Sequence, residues 1–412
     1  MSLQAPTWLS VGFVEKVLKN SESDDSIKVK AIATRPATVN GDNFLSDMIR
    51  VGVEYSHNKV GHDAVEKTSL IVKIAPTRDN PNYELVTEAE VFEKEIKMME
   101  DTLVKMNNLL NEKDYRLSAR VLYAEKGDPS FLVIDDLVPM GYRMADRKAG
   151  LDLQHCTLAI RGLAKFHASS VALCEKEPNQ KLSYMKGAYH KENPDIVNKF
   201  FTDGIRMLST EVANWPELGS SANIYSEKLL KLSTVCYERA AECIKPKDDE
   251  FNVLNHGDCW VNNMLFRYNE EGTVTDHIFV DFQVSCWTSP ALDILQFLNT
   301  SASDDVSTHH RTALIEEYLN VLTRTMARLG CKIKPPSMAD LQKSLEDHEF
   351  LSVLMSTLGL AFALMDKCDS NNLGDIVQAN GKNVHQAYRT KTYCKMMLKR
   401  LKDWNSRGLI DA

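Results

Sequence analysis

Three oxygen-bearing side chains stand in order within a short stretch of this chain. Asp258 and Asn263 belong to the string HGDCWVNN, His256 to Asn263, and Asp281 follows within Val280-Asp281-Phe282. Phosphoryl transfer asks for such a set: one carboxylate to orient the attacking hydroxyl, and hard oxygen ligands that hold magnesium against nucleotide phosphates. The Asp-x-x-x-x-Asn spacing puts the orienting group and one ligand on a single loop. Asp281, expected to end the next hairpin's second strand, is then placed as the other ligand. An Asp in a loop is more often a turn or capping residue, but here all three have the strand and loop context such a motif needs. His256 is expected to pack and hydrogen-bond within the loop, and Trp260 to be a core aromatic.

Two rival chemistries use nearby residues. Cys259 lies three positions from His256, and a Cys/His pair can act as nucleophile and base. Nothing else in the segment supplies a nucleophile elbow or oxyanion loop, so an inert thiol is expected. His309-His310, with Asp304-Asp305 before them, could suggest a metal. Adjacent histidines project to different helix faces and rarely share an ion.

The elements that must position these residues are legible as periodicities. Lys28 to Val39, Phe44 to Tyr55 and Lys67 to Ala75 read as three antiparallel strands, with turns at Asn40-Gly41-Asp42 and around Asn58 to Asp63. Phe92, Ile96, Met99, Leu103, Met106 and Leu110 alternate steps of four and three, the stripe of a long helix that packs on the sheet. Arg116 to Tyr123 and Phe131 to Ile134 read as a second strand pair. A hinge is expected near Asp135-Asp136-Leu137, which makes Asp136 a candidate nucleotide contact. Helices are then expected near 152–173, 194–213, 222–244, 305–329, 338–366 and 385–404. Embedded strands are expected at Phe251 to Asn255, Met264 to Tyr268 and His277 to Phe282, the last two joined by a hairpin turn at 269–272. The fold class is α+β in two lobes: residues 1–135 with a small antiparallel sheet for the nucleotide, and 136–412, mainly helical, for catalysis and the acceptor.

Within the sheet, Lys73 is a charged residue in an apolar strand and needs solvent or a partner. Glu95, at the edge of the helical stripe, is its expected partner, with Glu88 and Glu100 as competitors. The turn from Gly41 to Ser46 could face phosphates through backbone amides and the Ser46 hydroxyl, although an ordinary hairpin turn explains the same residues.

Composition narrows the classes further. The chain has 412 residues, 49 basic and 57 acidic, for a net charge of −8, so the basic footprint of a nucleic-acid binder is missing. Its nine cysteines are scattered without a Cys-x-x-Cys pair and are expected to be reduced thiols of a cytoplasmic protein. The amino-terminal residues suit an amphipathic helix better than a signal peptide. The apolar run Leu351 to Met365 falls short of the ~20 residues of a membrane span and reads as a buried helix.

The strings HGDCWVNNMLF and VDFQVSCWTSPALDILQFL resemble the ecdysteroid kinase-like branch of the choline kinase and aminoglycoside phosphotransferase superfamily. TSLIVKIAP around Lys73, FLVIDDLVPMGYRMADRKAGLDL and LAKFHA resemble it in the same order, over roughly residues 30 to 300. The resemblance implies a bilobal protein-kinase-like fold and an ATP- and magnesium-dependent kinase. It implies that Asp258 is the catalytic aspartate, that Asn263 and Asp281 hold magnesium, and that Lys73 contacts the α- and β-phosphates. Asp293, in SPALD, would brace the catalytic loop together with His256. The single Gly41 departs from the glycine-rich phosphate loop of protein kinases. The implied acceptor is a small hydroxylated compound, an ecdysteroid or another lipophilic alcohol, in hormone inactivation or detoxification. A choline or ethanolamine kinase and a catalytically idle nucleotide-binding protein are the alternatives. No second chain is expected to be needed, so a monomer suffices.

Overall fold

Alternating apolar residues in the first third of the chain build one antiparallel sheet. The computed structural model describes residues 5–38, 45–58, 65–365 and 386–412. Helix α1 (Val11–Glu22) precedes strands β1 (Lys28–Pro36), β2 (Asp47–Ser56) and β3 (Glu66–Ile74). After α2 (Tyr83–Glu88), α3 (Val91–Lys97) and α4 (Leu103–Leu110) come β4 (Val121–Glu125) and β5 (Phe131–Asp135). The strand order is β1-β2-β3-β5-β4, with every neighbour antiparallel. The expected strand ends Val39 and Phe44, and the turn with Gly41, lie outside the described residues.

Period-two alternation divides the sheet between two clusters. Phe131 and Val133 face α1, where Trp8 stacks on Phe131 with ring centroids 4.1 Å apart. Leu132 faces the helices that follow β3. All six residues of the expected helical stripe are buried. The helix is nevertheless not continuous: a π-helical turn at Met98–Thr102 joins α3 to α4, the extra residue shifting the apolar face between them. Lys73 pairs with Leu132 across β3 and β5, so its side chain leaves the sheet on the α3 face.

The rest of the chain is mostly helical, with short strands near the site. In order it contains β6 (Tyr142–Met144), α5 (Leu153–Lys176), α6 (Asp195–Val212), α7 (Ala222–Leu232), α8 (Cys236–Cys243) and β7 (Val253–Asn255). Next come β8 (Met264–Tyr268), β9 (Val274–Phe279), β10 (Cys286–Thr288), α9 (Ala291–Thr300), α10 (Asp304–His309) and α11 (Arg311–Leu329). Finally α12 (Met338–Asp347), α13 (Phe350–Leu354), a π-helical turn Met355–Gly359, α14 (Leu360–Leu364) and α15 (Lys391–Ser406) close the described chain. β8 and β9 form the expected hairpin, with β6 added at its edge, and β7 pairs with β10. Among the described residues no helix is long and apolar enough to cross a membrane.

Several expected boundaries move. The helix expected over 222–244 breaks after Leu232, because the Ser233 and Thr234 hydroxyls bond the carbonyls of Leu230 and Lys231 at 2.7 and 2.8 Å and compete with helical continuation. The helix over 305–329 breaks at His310. That over 338–366 breaks at His348, whose Nδ1 lies 2.7 Å from the Ser344 carbonyl. The strand expected from Arg116 starts only at Val121: Leu117 donates its N–H to Asn107 Oδ1 (2.9 Å) and accepts from Phe279 N–H (3.4 Å), which takes its backbone out of any ladder. The strand expected to end at Phe282 ends at Phe279, so Asp281 lies beyond it, at φ 68°. β6 and β10 are three residues each, too short for a period to show.

The loop between β7 and β8 is fixed by close approach of two backbones. Gly257 has φ +83°, and a Cβ there would stand 2.2 Å from the Val284 carbonyl oxygen. Only glycine fits both demands. Gly257→Ala should therefore cost at least ~1–3 kcal/mol and lower the urea midpoint of a purified variant. On the sheet's outer face, Phe131→Ala removes the ring against which Trp8 stacks. It should destabilise by ~3–5 kcal/mol in the same titration.

Candidate active site

Lys73 brings three separate elements together. It is 4% exposed, and its Nζ lies 2.8 Å from Oε1 and 2.7 Å from Oε2 of Glu95 on α3, and 3.2 Å from Oδ1 of Asp281. Burial works against its charge, but the carboxylates of Asp281 and Glu95 outweigh it and hold the lysine above its ordinary pKa. For Glu95, burial dominates and pushes the carboxyl up to about 7 against the opposing pull of Lys73. Of the three glutamates that could have met Lys73, the register selects Glu95.

Asp258 sits at the mouth of the β7–β8 loop with both carboxylate oxygens engaged. Gln296 Nε2 donates to Oδ1 at 2.9 Å, while Asn263 Nδ2 and Trp260 Nε1 donate to Oδ2 at 2.7 and 3.2 Å. Burial, then the facing Asp281 carboxylate, raises the Asp258 pKa, with His256, Gln296 and Asn263 pulling it back. Asp281 occupies the left-handed backbone region, which Asp tolerates better than most residues. This conformation turns its carboxylate between Lys73 and Asp258.

Behind the loop, Asp293 in the first turn of α9 is fully buried and spends its carboxylate on backbone. Oδ2 accepts from His256 N–H at 2.6 Å and Oδ1 from Gly257 N–H at 2.9 Å, with His167 Nε2 3.1 Å from Oδ2. The His256 ring is committed as well. Its Nε2 faces the Val280 carbonyl at 3.0 Å and its Nδ1 the Asp258 N–H at 3.3 Å, which fixes the proton on Nε2. No free base remains there. The Cys259 thiol is 1% exposed and burial pushes its pKa well above the usual range, so the Cys/His reading has neither a thiolate nor a base.

The remaining candidates fall elsewhere. Ser46 precedes β2, whose Met48 pairs with Lys73, and so lies at the same end of the sheet. Gly41 is outside the described residues. The Asp136 carboxylate is held within the sheet region by Arg50 Nε at 2.6 Å, Ser69 Oγ at 2.7 Å and the Val138 N–H at 3.1 Å, and its side chain does not join the Asp258 group. His309 and His310 lie at the end of α10.

A cavity of about 250 Å³ opens beside Asp258, Asn263 and Asp281. Its far wall is apolar, with Phe200 and Phe201 from α6, Leu354, Met355 and Leu358 from the α13–π segment, and Phe362 from α14. Trp260, expected as a core aromatic, lines this cavity and donates to Asp258. Gln296 could have been suspected from its place one helical turn after Asp293. The α6 and α14 walls carry no local signal.

The donor set fits a hard divalent cation. Asp281 and Asn263 offer oxygens beside Asp258, and the repulsion between the two aspartates is what a cation there would relieve. Among the described residues no three His, Cys, Asp or Glu side chains form a metal cage. Magnesium, which keeps waters and substrate oxygens as ligands, does not require one.

Comparison with solved structures gives remote likenesses. A macrolide 2′-phosphotransferase of Brachybacterium faecium, solved as apoenzyme, is 11% identical with TM-score 0.36 over 84% of this chain and 91% of that one. A putative fructosamine-3-kinase of Haemophilus somnus is 11% identical with TM-score 0.34, covering 91% and 96%. An aminoglycoside phosphotransferase solved with streptomycin and ATP is 15% identical with TM-score 0.33, covering 82% and 98%. No curated protein matches. These structural likenesses are remote, and the sequence match carries the assignment: with residues 40–331, more than two-thirds of its length, matching that family, the chain belongs to the ecdysteroid kinase-like family.

Proposed function

We propose that the protein is an ATP- and magnesium-dependent kinase that phosphorylates an alcohol of a lipophilic small molecule. The observation that carries this reading is the meeting of Asp258, Asn263 and Asp281 at the mouth of an apolar cavity, with Lys73 on the other side of Asp281. In the reaction the acceptor hydroxyl oxygen forms a bond to the γ-phosphorus, the bridging bond to the β-phosphate breaks, and ADP leaves. Asp258 orients the hydroxyl and takes its proton. Its raised pKa suits that role, since a carboxylate too weak as a base gives little assistance. Gln296, Trp260 and Asn263 fix the carboxylate's plane, so its remaining lone pairs point to one place.

Asp281 and Asn263 would hold the magnesium, which when bound neutralises charge on the phosphates. Lys73, released from Asp281 to the phosphates, would keep its contact with Glu95. Asp293 and His256 hold the loop that carries Asp258. Gly41, Ser46 and the segment at Asp136 remain proposed nucleotide contacts, the last through its backbone because its carboxylate is spent.

The cavity favours a neutral lipophilic acceptor over choline or ethanolamine. A small ammonium acceptor gains from carboxylates free to pair with it, and among the described lining residues the acidic ones are Asp258 and Asp281, both already committed, while the rest of the lining is mostly apolar. We place such a kinase in the cytoplasm, acting as a single chain.

Asp258→Asn separates this reading from an idle nucleotide-binding protein. It should leave magnesium-ATP affinity within a few-fold by calorimetry and reduce turnover of the best acceptor by about 100-fold or more. Lys73→Met should instead weaken magnesium-ATP binding. Full turnover in Asp258→Asn would overturn the assignment.

A further inference from the structure

A second cavity, of about 340 Å³, lies where the end of α9 meets α10, the start of α11, the segment before α13 and α15. None of the residues lining it lines the cavity beside Asp258. Four cationic side chains border it, Arg311, Lys399, Arg400 and Arg407, together with three carboxylates. Two of the carboxylates are already paired: Asp304 meets Lys395 at 2.8 Å and Lys399 at 3.4 Å, and Asp403 meets Arg407 at 3.1 Å. The third, Glu349, stands 3.8 Å from Arg311, beyond hydrogen-bond distance. Arg400 has no carboxylate within 4.0 Å among the described residues. Its Nη1 donates to the Asn299 carbonyl at 3.0 Å and to Ser356 Oγ at 2.6 Å, which anchors the guanidinium. Its Nε and Nη2 donate to nothing and keep accessible surface, as do the nitrogens of Arg311. Burial, with the Arg311 charge adding to it, lowers the Arg400 pKa to about 10, and burial lowers that of Arg311. Two half-buried guanidiniums therefore share this cavity with one distant carboxylate between the pair. Charge withdrawn from water in this way calls for a counter-charge.

We propose that this cavity is a binding site for a phosphate monoester, whose dianion accepts from the unbonded nitrogens of Arg400 and Arg311. Guanidinium forks match phosphate oxygens in geometry, and a monoester carries nearly two negative charges at neutral pH, the number that two under-compensated arginines take. The volume is that of a site for a small organic molecule, and Leu298 and Met396 line it as well, a wall for the ester group. The site is independent of the kinase reading, since its lining includes none of Asp258, Asn263 and Asp281. Arg400 nevertheless joins it to the other cavity's frame: Asn299 lies one turn after Gln296 on α9, and Ser356 lies in the π-helical turn next to Met355.

The test is calorimetry on the full chain at fixed ionic strength without magnesium, with phenyl phosphate, inorganic phosphate and phenol as probes. Phenyl phosphate should bind one-to-one and more tightly than inorganic phosphate, and phenol should give no saturable heat. Arg400→Gln and Arg311→Gln should each weaken phenyl phosphate about 10-fold or more, the factor that a charge-assisted hydrogen bond supplies. Arg311→Gln carries the test alone where Arg400→Gln does not fold, because no hydrogen bond of the structure is lost with it. Without ligand its thermal midpoint should equal or exceed that of wild type, and phenyl phosphate should raise the wild-type midpoint more than that of the variant. Lys73→Met should leave phenyl phosphate affinity within about twofold. No saturable binding to wild type, equal affinity in wild type and Arg311→Gln, or loss of binding in Lys73→Met, which would put the ligand at the nucleotide site, would each overturn the inference. Binding of inorganic phosphate alone would overturn the monoester class.

Discussion

A lysine ammonium buried between the sheet and the helical part needs negative charge from both sides. Lys73 has it from Glu95 on α3 and from Asp281 after β9, and the rest of the site is arranged around that demand. Removing one partner of a buried ion pair costs several kcal/mol because a charge is left uncompensated. The three residues therefore constrain where α3 lies on the sheet and how far the β8–β9 hairpin approaches it. Such a cluster is weak support for stability as such. Its value here is positional: it holds the Asp281 carboxylate between Lys73 and Asp258, where the proposed reading needs an oxygen for a cation.

The same logic of satisfied buried groups organises the loop that carries Asp258. Two backbone amides, at His256 and Gly257, end on one carboxylate, Asp293, at the start of α9. The loop is thereby tied to α9 as well as to the segment after β9, beside the paired strands β7 and β10. The left-handed Gly257 and Asp281 mark where the backbone gives up its usual conformation so that side chains can converge. Each is over-determined by its neighbours: Gly257 by Val284, Asp281 by Lys73.

The apolar side of the site has a different origin. Gly204 on α6 sits so close to Leu358 that a Cβ would come within 2.5 Å of its Cδ2, which lets α6 pack tightly against the π-helical turn. That contact brings Phe200 beside Phe362, their rings stacked with centroids 6.1 Å apart. Leu358 follows Met355 and Leu354 by three and four residues on that segment, so the three share one wall. Acceptor chemistry on the proposed reading is set by this packing, while phosphoryl chemistry is set by the loops opposite it.

What the sequence determined by itself was local. The strands β1 to β3, the stripe from Phe92 to Leu110 and the spacing of Asp258, Asn263 and Asp281 rest on repeats of two, three and four residues or on short motifs, where neighbours in sequence are neighbours in space. Helix breaks at Ser233 and His348 escaped because side chains compete there for carbonyls one turn away, a contest that apolar periodicity does not register. Only the tertiary structure decided that Trp260 and Gln296 belong to the site, that Asp136 turns its carboxylate to Arg50, and that α6 and α14 wall the cavity. Those contacts join residues far apart in the chain, and side-chain direction across such distances follows from packing density and from the need to pair every buried charge.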